Sequence, residues 1–251
     1  MKESQTTACD FQDLTTWKQI QNSIMQLFLQ TCTPNIHQSK NYFKALDFEL
    51  EDKGDYTLVY DRQMHIMISH ERSGRKGLSL IKENWESEIT QLAQFVEVKQ
   101  NNGVYYFVSP SGTRFALKSG PSVMIPEAQS TCLLGNYAGV SLETMDIKMS
   151  MKILQVLGFE QSGGGLDKGW VSCTDQAQNT ISLMMPFTCP HLFINPSGTF
   201  FNSGGNTEII AKIRQRGIAI YEEITAFSTK CDVDNITMRE PGGVGFFVFN
   251  D

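Results

Sequence analysis

Four histidines and six cysteines are the side chains with which this sequence could do metal or nucleophilic chemistry, and their spacing limits what they can do. His65 and His70 are separated by an odd number of positions. On a strand, where side chains alternate between faces, that separation sends them to opposite sides and rules out a shared donor pair. His70 is followed at once by Glu71; the ordinary reading is a surface pair at a strand end, the functional one a donor at a cavity rim. His37 falls in the first turn of an expected helix, an exposed position. Cys189 and His191 offer a thiol beside an imidazole, but no third group that would orient the imidazole is identifiable. The cysteines, Cys9, Cys32, Cys132, Cys173, Cys189 and Cys231, are dispersed and none forms a CxxC pair, so free thiols are expected. The glycine run from Gly163 to Gly169 fails the dinucleotide-binding pattern, because Lys168 stands where the third glycine is required and no crossover helix follows. It reads as a flexible hairpin loop.

Composition narrows the partners. With 41% apolar and 19% charged residues the 251-residue chain has the profile of an ordinary folded protein rather than a disordered one. A formal charge of -6, and no basic cluster beyond the mixed stretch at 71–76, argue against nucleic acid and anionic membrane surfaces. Neither a leader-like apolar segment nor a run approaching the ~18 apolar residues of a membrane span is present, so a cytoplasmic protein is expected.

The elements that would position these residues emerge when the chain is compared with itself. Asn35 and Asp146, like Phe48 and Phe159, lie 111 positions apart. In each copy an apolar strand (24–32 and 137–144) runs into a short polar residue, Asn35 or Asp146, suited to accept from the free N–H groups of a helix start. The helices that follow carry apolar residues at helical spacing, Ile36, Phe43 and Leu46 in one and Met149, Ile153, Leu154 and Leu157 in the other, and stop at Asp47 and Gly158. Strands are expected at 56–60 and 64–69, and at 169–174 and 180–185. The pattern recurs inside each half. A strand at 77–81, a helix faced by Trp85, Ile89, Leu92 and Val96, and a hairpin (103–108, 113–117) complete the first. A strand at 198–201, a helix over 207–216 stopped by Gly217, and a hairpin (236–239, 245–249) complete the second. Domains are expected at 23–120 and 136–251, joined by a Gly- and Pro-bearing linker at 121–135. Residues 1–22 form an extension in which Leu14, Trp17 and Ile20, with Ile24 beyond it, suggest an amphipathic helix.

In Leu142-Glu143-Thr144-Met145-Asp146, Leu157-Gly158-Phe159, Arg216-Gly217 and Met238-Arg239-Glu240-Pro241-Gly242-Gly243, the chain resembles the vicinal oxygen chelate superfamily of glyoxalase I, bleomycin-resistance proteins and extradiol dioxygenases. The resemblance covers nearly all of residues 24–251. It implies an α+β fold in which four βαβββ modules pair into two cupped mixed-sheet domains, with metal ligands projecting inward from fixed strand positions. Those positions fall at Phe28, Met67, Gly77 and Ala116 in the first domain and at Gly139, Ser182, Ser197 or Gly198, and Phe247 in the second. None of these is an imidazole or carboxylate, so no metal and no other cofactor is expected.

What remains is a cavity lined by Phe28, Met67, His70, Gly139, Trp170, Ser182 and Phe247, in which flat side chains suit an apolar or planar ligand. The expectation is a metal-independent small-molecule binding protein; Glu143 and Arg239 could supply polar anchors, but surface roles are the ordinary reading for both. The chain would act as a monomer with intrachain domain pairing or as a homodimer. The alternative is a metal-dependent lyase or dioxygenase with unorthodox donors, His70, Glu71, Glu143 and His191. A third reading is purely structural, with side chains filling both cups.

Overall fold

The computed structural model describes residues 25–71, 74–228 and 232–250. The expected helix around Leu14, Trp17 and Ile20, together with Cys9 and Cys231, lies outside them. The first half runs β1 (Gln26–Cys32), α1 (Ile36–Ala45), β2 (Glu49–Asp52), β3 (Tyr56–Tyr60), β4 (His65–Ser69), β5 (Gly77–Lys82), α2 (Glu86–Leu92), β6 (Lys99–Asn101), β7 (Val104–Val108) and β8 (Arg114–Ser119). The second repeats the order with β9 (Tyr137–Glu143), α3 (Ile147–Val156), β10 (Glu160–Gly165), β11 (Trp170–Thr174), β12 (Thr180–Met184), β13 (Ser197–Phe201), α4 (Asn206–Gln215), β14 (Glu222–Ile224), β15 (Asn235–Arg239) and β16 (Gly245–Phe249).

Each half makes one eight-stranded mixed sheet, ordered β2-β3-β4-β1-β5-β8-β7-β6 and β10-β11-β12-β9-β13-β16-β15-β14. The first strand of each module is parallel to its last, and the two first strands, β1 with β5 and β9 with β13, join the modules antiparallel. The α+β class of paired βαβββ modules is therefore the observed one.

Local chemistry accounts for the helix positions. The Asn35 side chain accepts from Gln38 N–H at 3.1 Å and that of Asp146 from Met149 N–H at 2.9 Å, each satisfying a free donor of the first turn. Both helices end where the chain turns left-handed, at Asp47 and Gly158. The α2 helix is shorter than its apolar spacing suggests. It closes at Leu92, and Trp85, just before it, is fully buried with its indole N–H donating to Lys118 O at 3.0 Å.

Alternation along the strands sorts two faces. Leu27, Leu29, Ile66, Ile68, Leu78 and Leu80 of the first sheet, and Val140, Leu142, Val171, Leu183, Ile236 and Val248 of the second, point to the helices and join one continuous core spanning both domains. The opposite faces line the cups. Two features differ from expectation. The edge strands β2, β6, β10 and β14 are additional, and Gly163 to Gly165 are not loop but the end of β10, paired with β11. Close approach explains the glycine there: a Cβ on Gly164 would stand 2.6 Å from the Trp170 ring and 2.4 Å from its carbonyl oxygen.

Candidate functional site

The first cup is filled. Phe28 and Met67 project into it as alternation requires, but they pack with Leu58, Tyr60 and Ile81 into a cluster closed by Ala128, Val123 and Ile125 of the interdomain segment. That segment is held by a side chain acting as a strand neighbour: Gln26 Nε2 donates to Val123 O at 2.9 Å, and Val123 N–H donates to Gln26 Oε1 at 2.6 Å. Further along, Arg62 Nη2 donates to Gln129 O at 2.6 Å, and Gln129 N–H donates to Glu49 Oε1 at 2.6 Å. A cavity of about 120 Å³ survives at the far side, between Gln30, Tyr106, Arg114 and Lys118. There burial holds the Lys118 ammonium pKa below its ordinary value, against the opposing pull of Glu71 and Asp55.

His70 is not in that cup. It lies on the helix-facing side, its Nε2 2.9 Å from Thr57 Oγ1 and its Nδ1 2.8 Å from Gly54 O. His65 takes the inward position, 6.0 Å from the Phe28 ring, and burial lowers its pKa. The odd separation had placed the two histidines on opposite faces; it could not say which face was concave.

The second cup is floored by hydroxyls that satisfy one another. Ser172 and Ser182 Oγ are 2.7 Å apart, as are Ser141 Oγ and Thr199 Oγ1. Gly139, at φ +125, offers no side chain, and the neighbouring backbone leaves no room for one: an added Cβ would sit 2.5 Å from Thr180 O. The alternative position at Gly198 faces the core beside Phe246, so Ser197 is the inward residue. Phe247 is buried beneath the β12–β13 connection, with the rings of His191 and Phe193 at 4.9 and 4.8 Å. Trp170 lies across the glycines of β10 at the sheet edge. Thr237, opposite Phe247 on β15, is fully buried and its hydroxyl has no hydrogen-bond partner.

The two cups are closed by different segments because their connections differ in length. Residues 70–76 join β4 to β5, whereas 185–196 join β12 to β13 and have the reach to fold inward.

Among the described residues no group of three His, Cys, Asp or Glu side chains is arranged to hold a metal ion. The donors proposed as unorthodox ligands are dispersed: His70 and Glu71 lie at one end of the first sheet, Glu143 and His191 around the second cup. A Lewis-acid centre needs several N or O donors at about 2.0–2.2 Å from one point, and hydroxyl pairs already bonded to each other, a bare glycine and a phenyl ring do not fit it.

An open cleft of about 460 Å³ remains at the mouth of the second cup. Phe201 at the end of β13 and Phe249 at the end of β16 stack at 6.0 Å, and Phe227 from the β14–β15 connection meets Phe249 edge-on at 6.3 Å. His191 closes the inner side, 5.4 Å from Phe249. Phe201 and Phe227 keep 39% and 56% of their surface exposed, unusual for phenylalanines that touch other aromatic rings. Cys189, Asp234, Asn235 and Asn250 complete the lining. Cys189 and His191 share this cleft without forming a dyad: the thiol donates to Met184 Sδ at 3.2 Å, and His191 Nδ1 faces Leu192 O at 3.1 Å. Burial, helped by Glu143, pushes the Cys189 thiol pKa up, the reverse of what a nucleophile needs.

Of the expected cavity residues, only Phe247 adjoins this cleft, as the floor under His191. Its aromatic residues were missed, although Phe247 and Phe249, two apart on one strand, share a face, and Phe201 caps the neighbouring parallel strand.

No family model matches the chain, and no curated protein is significantly similar to it in sequence. Solved structures are similar in fold. A catechol 2,3-dioxygenase superposes with a TM-score of 0.53 at 12% identity, covering 88% of this chain and 85% of that one. Homoprotocatechuate 2,3-dioxygenase from Arthrobacter globiformis gives 0.57 at 10% identity, with coverage of 90% and 80%. The halotolerant catechol dioxygenase BphC gives 0.52 at 13%, with 88% and 84%. The chain thus has the two-domain mixed-sheet fold of extradiol dioxygenases.

Proposed function

We propose that this protein binds a small aromatic molecule at the mouth of its second cup and does so without a metal ion. The observation that carries the reading is the cleft itself, whose volume falls within the ~300–1,000 Å³ of small-ligand sites and whose walls are partly exposed phenyl rings converging on a few polar groups. The first cup, sealed by Val123, Ile125 and Ala128, has a packing role, and Phe28 and Met67 belong to it. A cytoplasmic monomer with paired domains is the form we propose.

Ring-cleaving or lyase chemistry with a metal is the second reading, and the names of the fold neighbours favour it. The side chains at the inward strand positions do not. Titration calorimetry with benzyl alcohol on the wild type and on Phe227→Ser decides the first reading: saturable binding, lost with the ring, supports it, and absence of binding refutes it. Titration with Fe²⁺ and Mn²⁺ decides the second, which requires stoichiometric uptake of one of them.

A further inference from the structure

We infer that the cleft of the second cup selects cations, so that its ligand is an amine or quaternary ammonium carried on an aromatic or similarly apolar body. The inference rests on the cleft being a ligand site and adds what its chemistry selects.

Three phenyl rings, Phe201, Phe227 and Phe249, line the space, and a phenyl face carries the negative lobe of its quadrupole, which attracts a cation within about 6 Å of the ring centre. The edge-on meeting of Phe227 and Phe249 and the stack of Phe201 on Phe249 give walls in more than one direction, the arrangement that surrounds a compact cation. No Lys or Arg among the described residues lines the cleft, and its one carboxylate is Asp234.

The polar inventory points the same way. Asn235 is committed, its Nδ2 donating to Asp234 Oδ1 at 2.6 Å and its Oδ1 accepting from Asn250 N–H at 2.7 Å. That leaves Asp234 Oδ2 as an acceptor. His191 Nδ1 faces a carbonyl oxygen, which can only accept, so this nitrogen carries a hydrogen and is spent on Leu192 O. Among the described residues the cleft therefore offers an unspent carboxylate oxygen, and against it chiefly the Asn250 side-chain amide as a donor. An anionic or acceptor-rich ligand would leave that carboxylate unpaired, whereas an ammonium answers both the carboxylate and the ring faces.

Calorimetry with benzylammonium, benzyltrimethylammonium and the neutral benzyl alcohol tests this. Both cations should bind the wild type about tenfold more tightly than the alcohol, and raising the salt concentration should erode only the cation affinities. Asp234→Asn should weaken both cations about tenfold, far more than it weakens the alcohol. Equal affinity for charged and neutral ligands in the wild type, or a cation preference indifferent to both salt and Asp234→Asn, overturns the inference while leaving the binding site in place. Failure of all three compounds to bind overturns the site along with it. Should Asp234→Asn not fold, the salt dependence of the wild type alone decides.

Discussion

Glu240, in the turn between β15 and β16, is 1% exposed and belongs to the second domain, yet its carboxylate is built into the first. Thr31 Oγ1 donates to its Oε2 at 2.7 Å and Ser39 Oγ to its Oε1 at 2.6 Å, while Gly242 N–H donates to Oε2 at 2.7 Å. Removing it strands two buried hydroxyls, so Glu240→Ala should cost about 2–4 kcal/mol in urea unfolding. Tyr42 is the converse case. Its hydroxyl is buried without a hydrogen-bond partner, and burial together with Glu240 raises its pKa. Tyr42→Phe removes an unmet polar group and should leave stability unchanged or raise it by up to about 1 kcal/mol. His65 makes a pH prediction. Burial holds its folded pKa below the ordinary 6.5, so the unfolded chain takes up the proton first as pH falls. Its contribution to stability is therefore lost on going down from about pH 7.5 to about pH 5.5, and His65→Gln should flatten the urea midpoint over that window. At this scale the sequence was readable where chemistry is local. Asn35 and Asp146 announce helix starts because a cap needs only its own next three residues. Glu240 announces nothing, since its partners stand some two hundred positions upstream.

Elements were legible in proportion to their periodicity. Strands such as β4 and β12, and helices α1 and α3, have apolar alternation or helical spacing that survives in a single sequence. The edge strands β2, β6 and β14 carry charged or amide side chains and bury little, so no pattern marks them. β10 was hidden by glycines whose purpose, making way for Trp170, exists only once β11 is alongside. The interdomain segment taught the most. Its Gly120, Pro121 and Pro126 follow the last residue of β8, but irregular backbone is not idle backbone, and Val123 and Ile125 close a cup whose walls lie about 40 to 100 residues away in sequence. Gln26 is the hinge of that closure because it meets both the N–H and the C=O of Val123. Gln26→Ala should cost about 1–3 kcal/mol and loosen the segment, read as increased binding of a hydrophobic dye such as ANS at unchanged far-ultraviolet circular dichroism. A variant that binds no more dye than wild type would show the segment to be held by its apolar side chains alone.

For the molecule as a whole, the repeat and the cups could be read from the chain, while the contents of the cups could not, because each is closed by a segment outside the repeated pattern. The halves are tied at several points besides Glu240. Arg216 Nη1 reaches Ala45 O and Asp47 Oδ1, both at 2.7 Å, Asn195 Nδ2 donates to Ser111 O at 3.0 Å, and Phe246 of the second sheet packs among Tyr42 and Phe43 of α1. With one core running through both domains, heating should give a single calorimetric transition, and Glu240→Ala should lower it without splitting it. Dialysis against EDTA should leave the same transition where it is; a fall of several degrees would mean that a metal ion supports the fold. The stretch between the two sheets carries a further lesson for anyone dissecting this protein. Its composition invites the scissors there, but a nick at 123–128 would strip one half of its stopper, and the fragment so released would show water an oily hollow that the intact chain never presents.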